Sequence, residues 1–217
     1  FRNVLESGLD TFVRYNEAIS ILKKVRAKGE PTYDTKVQSR NPFGIPSNFD
    51  EFSTKKDSKN SILLFRSRRG SSTDKLVYIS ADKIASNLNF KDRIKVLVSK
   101  ASPGGDEYPH AIFSTPLVAP VNSVATETYL IVDFVKSEEE GKNLVSYMRT
   151  KFFRFLVSLI KTTQNISKGS FGFVPIQDLS KAFSDDDLYK KYGITKEEQE
   201  FIDKMIRPMI NGDESDE

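Results

Sequence analysis

Arg66, Arg68, Arg69 and Gly70 stand where an apolar run, residues 61–66, gives way to the polar segment Arg66-Ser-Arg-Arg-Gly-Ser-Ser-Thr73. A guanidinium offers two donors in the spacing of guanine O6 and N7, a contact that discriminates between bases by about 1–3 kcal/mol. Strand alternation would put Arg66 and Arg68 on one face, and a hairpin tip is slim enough for the major groove. The alternative reading of the same residues is a solvated loop. A second group is Lys161-Thr-Thr-Gln-Asn165, with Lys168 and Gly169 following. Lysine and hydroxyl donors suit phosphate, and the amides of Gln164 and Asn165 suit adenine N6 and N7. The alternative there is a helix C-terminus that breaks into a polar turn, with Lys161 complementing the helix dipole. Ser99, Lys100 and Ser102, ahead of Gly104-Gly105, form a third basic loop, and Arg40 is a further candidate for phosphate.

Catalytic chemistry is harder to assemble. Asn41-Pro42-Phe43-Gly44 invites comparison with the Asn-Pro-Pro-aromatic motif that holds a flipped adenine for N6 methylation. The second proline is missing, and no glycine-rich turn after a strand provides for S-adenosylmethionine. A structural turn with a buried Phe43 is the favoured reading. His110 is the one histidine, too few for a zinc site or a triad, and reads as an ordinary strand-edge residue. For a metal-dependent nuclease the nearest cluster is Asp133, Lys136 and Glu138 to Glu140, whose glutamates a helix N-terminus already explains.

These residues need elements to hold them. Apolar spacing predicts a helix over 11–28, capped by Asp10 and ended by Gly29 and Pro31. Pro42, Gly44 and Pro46 exclude a regular element over 39–56. Strands are predicted at 61–66, 75–79, 93–99, 112–118 and 126–135, with a short helix over 80–87. Ser137-Glu-Glu-Glu140 is a capping-box sequence opening a helix over about 138–163, roughly 37 Å long. Phe171 to Ile176 is predicted as an edge strand stopped by Pro175. Two small helices follow, one from Ser184 and one from the capping box Thr195-Lys-Glu-Glu198, ending before Pro208. Residues 211–217 read as a disordered acidic tail.

The chain has 217 residues, 29% of them charged and 38% hydrophobic, and no cysteine, which excludes disulfides and thiolate metal sites. The lack of cysteine fits the reducing cytoplasm. No apolar run approaches the roughly 18 residues of a membrane span, so no membrane partner is expected. The net charge of +3 is polarised: residues 21–100 carry 18 basic and 8 acidic side chains, residues 181–217 carry 6 and 11. A basic body with an acidic tail points to a polyanionic partner. The sequence opens at Phe1, which reads as a piece of a longer polypeptide.

Several segments together resemble one family. They are Ser39-Arg-Asn-Pro-Phe-Gly44 with Asn48-Phe49, Lys95-Val-Leu-Val-Ser-Lys100, Thr126-Glu-Thr-Tyr-Leu130, Ser146 to Leu156, Lys161-Thr-Thr-Gln164, Phe173-Val-Pro175, and Asp187-Leu-Tyr-Lys-Lys-Tyr-Gly193. Their order is similar to that in the C-terminal DNA target-recognition domains of adenine-specific methyltransferases from type II and fused restriction–modification systems. Those domains are in turn similar to the ones in type I specificity subunits.

The resemblance implies an α+β fold, a small curved mixed β-sheet with flanking helices. It implies one target-recognition domain over 1–210: an N-terminal helix and connector (1–38), sheet plus long helix (39–180) and a helical extension (181–210). It also implies a division of labour. An upstream methyltransferase domain of the same polypeptide would carry S-adenosylmethionine, this chain would hold no cofactor and no metal, and its partner would be double-stranded DNA. Base contacts by Arg66, Arg68, Arg69, Gln164 and Asn165, and phosphate contacts by Arg40, Ser99, Lys100, Lys161 and Lys168, rest on side-chain chemistry. A nuclease domain and a protein–protein docking domain are the alternatives.

Overall fold

The computed structural model describes residues 15–66, 77–101, 109–161 and 165–209. The fold is α+β. Helices lie on one face of a three-stranded sheet, and a second three-stranded sheet covers the other. Strands β1 (Ile62–Phe65), β2 (Val77–Ile79) and β5 (Ser123–Ala125) form the outer sheet in the order β2-β1-β5, where β1 is antiparallel to β2 and parallel to β5. Strands β3 (Ile94–Ser99), β4 (Leu117–Ala119) and β6 (Tyr129–Val135) form an antiparallel inner sheet, β4-β3-β6.

Alternation along the inner strands explains the layering. Val96, Val98, Leu130, Val132 and Val135 pack with the helices, while Leu97 and Ile131 pack with Ile62, Leu64, Val77, Ile79 and Val124 of the outer sheet. Both faces of β3 are therefore apolar, as the run Ile94-Lys-Val-Leu-Val requires, except at Lys95.

Lys95 is fully buried in the layer between the sheets. Its amine donates to the carbonyls of Ser123 (3.0 Å) and Pro120 (3.3 Å) and to the Ser123 hydroxyl (3.0 Å), which ties β3 to the start of β5. Burial pushes this amine down from 10.5 to about 8, because a charge without a contacting carboxylate is poorly solvated there. A base whose folded pKa is depressed binds fewer protons than in the unfolded chain, so stability rises with pH between the two values. From pH 7 to 9.5 the gain is expected to be about 2 kcal/mol. Urea melts across that range are expected to lose this rise in Lys95→Met; a variant retaining the full slope would show that another group titrates.

On the helical side, α1 (Asn16–Arg26) buries Ala18, Ile19, Ile21, Leu22 and Val25. The Asp10 cap and residues 11–14 of the predicted helix fall outside the described residues. Glu198 anchors α1 to the C-terminal α5 (Lys196–Met205), accepting from Ser20 (2.7 Å) and Lys24 (2.6 Å). The remaining helix of the C-terminal extension, α4 (Asp185–Tyr192), starts at the predicted Ser184 cap.

The single helix expected over 138–163 is two: α2 (Glu138–Arg149) and α3 (Lys151–Ile160). Thr150 divides them in an extended conformation (φ −61°, ψ 148°), its hydroxyl accepting from the Phe153 amide at 3.1 Å. Asp185 completes the new N-terminus by accepting from the Lys151 and Phe152 amides at 3.0 and 2.8 Å.

Other predicted elements also differ. The strand expected over 112–118 is reduced to β4, because Ile112 adopts φ 72°, which no strand residue does. Strand β5 was not anticipated. The expected helix over 80–87 is one 3-10 turn at Ala81–Lys83. The edge strand expected over 171–176 is a 3-10 turn (Lys168–Phe171) followed by a short pairing, Tyr33 N–H to Val174 and Ile176 N–H to Pro31, around a proline that has no N–H to give. Among the described residues no helix is long and apolar enough to cross a membrane.

Candidate nucleic-acid interface

The C-terminal ends of β1, β5 and β3 and the start of β6 meet at one edge, because β1 and β5 run parallel and Ser99 pairs with Tyr129. The turn from β5 to β6, Thr126-Glu127-Thr128, is the hub of that edge. Sequence periodicity extended β6 back to Thr126. Instead, the Thr126 hydroxyl bonds to that of Thr128 at 2.7 Å, and the Tyr129 amide donates to the Thr126 carbonyl at 3.1 Å. A polar side chain that satisfies its neighbour locally competes with strand pairing.

Three backbone contacts radiate from the turn. The Thr126 amide donates to Phe65 (2.9 Å), the Glu127 amide to Ile45 (2.8 Å), and Thr128 accepts from the Lys100 amide (2.8 Å). Beyond Lys100 the chain pairs with the segment after α3: the Ile166 amide donates to the Lys100 carbonyl at 2.9 Å, and Ala101 bridges Asn165. Arg66, Ala101 and Asn165 are thus gathered on this edge.

Most of the sequence-derived site residues that are described sit here. Arg66 follows β1, its guanidinium 4.3 Å from the centre of the Phe52 ring. Ser99 closes β3. Asn165 is exposed beside Ala101. Arg40 projects into solvent, 78% of its side chain exposed, with one guanidinium nitrogen 3.4 Å from Glu127 Oε2. Lys100 is half-buried; burial and the neighbouring Arg40 charge hold its amine below the ordinary lysine range, partly offset by Glu127. Lys161, in the residue after α3, is turned inward and donates to the carbonyl of the strained Ile112 at 3.2 Å. Lys168 is exposed on the 3-10 turn. Arg68, Arg69 and Gln164 lie outside the described residues.

Sequence reasoning missed Glu127 as a site residue. Its carboxylate accepts from the Ser47 amide (3.3 Å) as well as from Arg40. The Ser47 hydrogen bond, with the Lys100 and Arg40 charges, holds the carboxyl below the usual glutamate range. The nearest sequence signal was its place between two threonines in a segment otherwise read as strand.

The Asn41-Pro42-Phe43-Gly44 segment is a packed turn. Phe43 is fully buried, its carbonyl accepts from the Ala85 and Ser86 amides, and the Pro42 carbonyl accepts from Ser86 and Asn87 side chains. A ring enclosed in this way has no face for a base. His110 donates its amide to Met205 and accepts from Arg207 through backbone atoms. The carboxylates weighed for hydrolysis have local work: Glu140 accepts from the Lys136 amide, Glu138 pairs with Lys142, and Asp133 is buried at a β-bulge. Compared with known proteins, the sequence matches no family model and no curated protein.

Proposed function

We propose that the chain is a duplex-DNA recognition module that binds through the strand-end edge, as the DNA-reading part of an adenine-specific restriction–modification methyltransferase. The observation that carries this reading is the gathering of Arg40, Arg66, Lys100 and Asn165 around the Thr126–Thr128 turn. Charge for phosphate and groups for bases then share one surface. Arg40 and Lys100, with Ser99 at the end of β3 and the exposed Lys168, hold the phosphates and set orientation, while Lys161 is turned inward. Arg66, Arg68, Arg69, Gln164 and Asn165 read base edges. The upstream domain supplies S-adenosylmethionine and the pocket for the flipped adenine. The chain itself positions the duplex and makes no bond.

Binding of duplexes selected from a randomised pool, followed by fluorescence anisotropy against salt, tests this. Replacing Arg40 and Lys100 together by alanine is expected to weaken every duplex by roughly 10- to 100-fold and to flatten the salt slope by about two units. Arg68→Ala is expected to erode preference for the selected sequences, with less effect on scrambled ones. Absence of salt-dependent duplex binding by the unaltered protein, joined to its upstream domain, would overturn the reading.

A further inference from the structure

A carboxylate that accepts from a backbone amide and a guanidinium, with an ammonium close by, marks a place shaped for an anion. Glu127 occupies such a place. Ser47 N–H and Arg40 contact its two oxygens, one each, and Lys100 lies near enough to depress its pKa while making no ion pair among the described residues. Three further features argue against a purely structural bond. The Arg40–Glu127 contact is long at 3.4 Å, and its arginine is 78% exposed, so the pair contributes little to stability. Lys100 is half-buried beside a second cation, an arrangement that one shared carboxylate leaves short of negative charge. And the backbone beside two of the donors is fixed independently, near Ser47 by Glu127 N–H on Ile45 and at Lys100 by its own N–H on Thr128. The Ser47 amide and the Lys100 backbone would therefore stay in place if the carboxylate swung away, and the exposed Arg40 would be free to follow an incoming anion.

We propose that Glu127 is a phosphate surrogate: in the free protein its carboxylate fills a site formed by Ser47 N–H, Arg40 and Lys100, and a backbone phosphodiester of the duplex displaces it. This rests on the reading of the edge as a DNA surface and adds to it the Ser47 amide as a phosphate donor. A backbone amide paired with two cations is the donor set that phosphate contacts favour. The surrogate also has a consequence for selectivity. Any duplex must expel Glu127 to seat its phosphate, which penalises all sequences equally, so only those that gain base contacts bind well.

The test compares the unaltered protein with Glu127→Ala and, as a charge control at the far end of β6, Glu138→Ala in the first turn of α2. With a mixed-sequence duplex at low salt, Glu127→Ala is expected to bind roughly five- to tenfold more tightly, with a salt slope steeper by about one unit. Glu138→Ala is expected to gain less than about twofold. In NMR titrations with inorganic phosphate, the Ser47 amide and Lys100 ammonium signals are expected to shift and saturate in Glu127→Ala but not in the unaltered protein. Equal gains from the two variants, or no phosphate response in Glu127→Ala, would overturn the surrogate while leaving the DNA reading standing. A phosphate response in Glu127→Ala, with no duplex bound by any of the proteins, would uphold the anion site and overturn the DNA reading.

Discussion

Replacing Arg154 by methionine is expected to destabilise the fold by about 3 kcal/mol and to lower Tm by on the order of 10 °C. Arg154 interrupts the most apolar stretch of the chain and is 1% exposed. Its guanidinium donates to three carbonyls: Arg149 at 3.1 Å, Thr150 at 3.2 Å and Arg207 at 2.6 Å. The first two sit where α2 ends and Thr150 turns the chain, so their oxygens have lost the partners a continuous helix would give. The third belongs to the segment after α5. Methionine matches the volume but donates nothing, and each buried carbonyl left without a partner costs about 1–3 kcal/mol. Part of that is returned, because burial already holds the guanidinium down to about 10, a mark of an expensive buried charge. Carbonyl loss exceeds this relief, since Thr150 alone keeps another donor, the Arg154 amide at 3.3 Å. Arg154→Lys, with one compact donor head, is expected to recover only a minor part. A methionine variant as stable as the parent in urea melts would mean that water or backbone adjustment satisfies these oxygens.

The same junction shows where sequence patterning stops being informative. The cap at Ser184 and the Thr195–Glu198 box were legible because their partners lie three residues away: Ser184 accepts from Asp187, and Thr195 accepts from Glu198. Thr150 gives a similar local signal, yet it is embedded in an apolar period that runs through it. What stabilises the break is Asp185, 34 and 33 residues beyond the amides it caps. The inner sheet was legible in β3 and most of β6, whose branched residues are buried on both faces. β5 was not, since Ser123-Val-Ala125 is too short to show a period and pairs with β1 some 60 residues earlier.

The candidate interface divides along the same line. Basic residue types and turn signals are properties of the local sequence, and they pointed to Arg40, Arg66, Lys100 and Asn165. That these four surround one turn follows from parallel pairing of β1 with β5 and from the bridge between Ala101 and Asn165. Glu127 stayed invisible because its partner amide, Ser47, is 80 residues away. Lys161 looked equally suitable for phosphate, but its inward bond to Ile112 depends on a positive φ in a β-branched residue, which no pattern announces.

Gly44→Ala is expected to cost about 2–4 kcal/mol, far more than the same change at Gly29, and the difference isolates packing from backbone strain. Both glycines adopt positive φ, 71° and 65°, so each alanine meets the same left-handed penalty of roughly 1–2 kcal/mol. A Cβ at Gly29 would have no atom within 4 Å, whereas one at Gly44 would lie 2.6 Å from the Ala85 Cβ. Neither methyl can rotate away. Relief requires moving the backbone of residues 85 and 86, whose amides are bonded to the Phe43 carbonyl. That strain would reach the interface, because Ile45 holds Glu127 through its carbonyl and Ser47 lies two residues beyond. Thermal melts of the two variants are therefore expected to separate by several degrees. Gly44→Ala is also expected to weaken duplex binding by roughly two- to fivefold below its melting transition, through displacement of the Ser47 amide. Equal melting temperatures would show that the turn and Ala85 part without cost, and would remove the mechanical link drawn between the buried Phe43 turn and the proposed phosphate-binding edge.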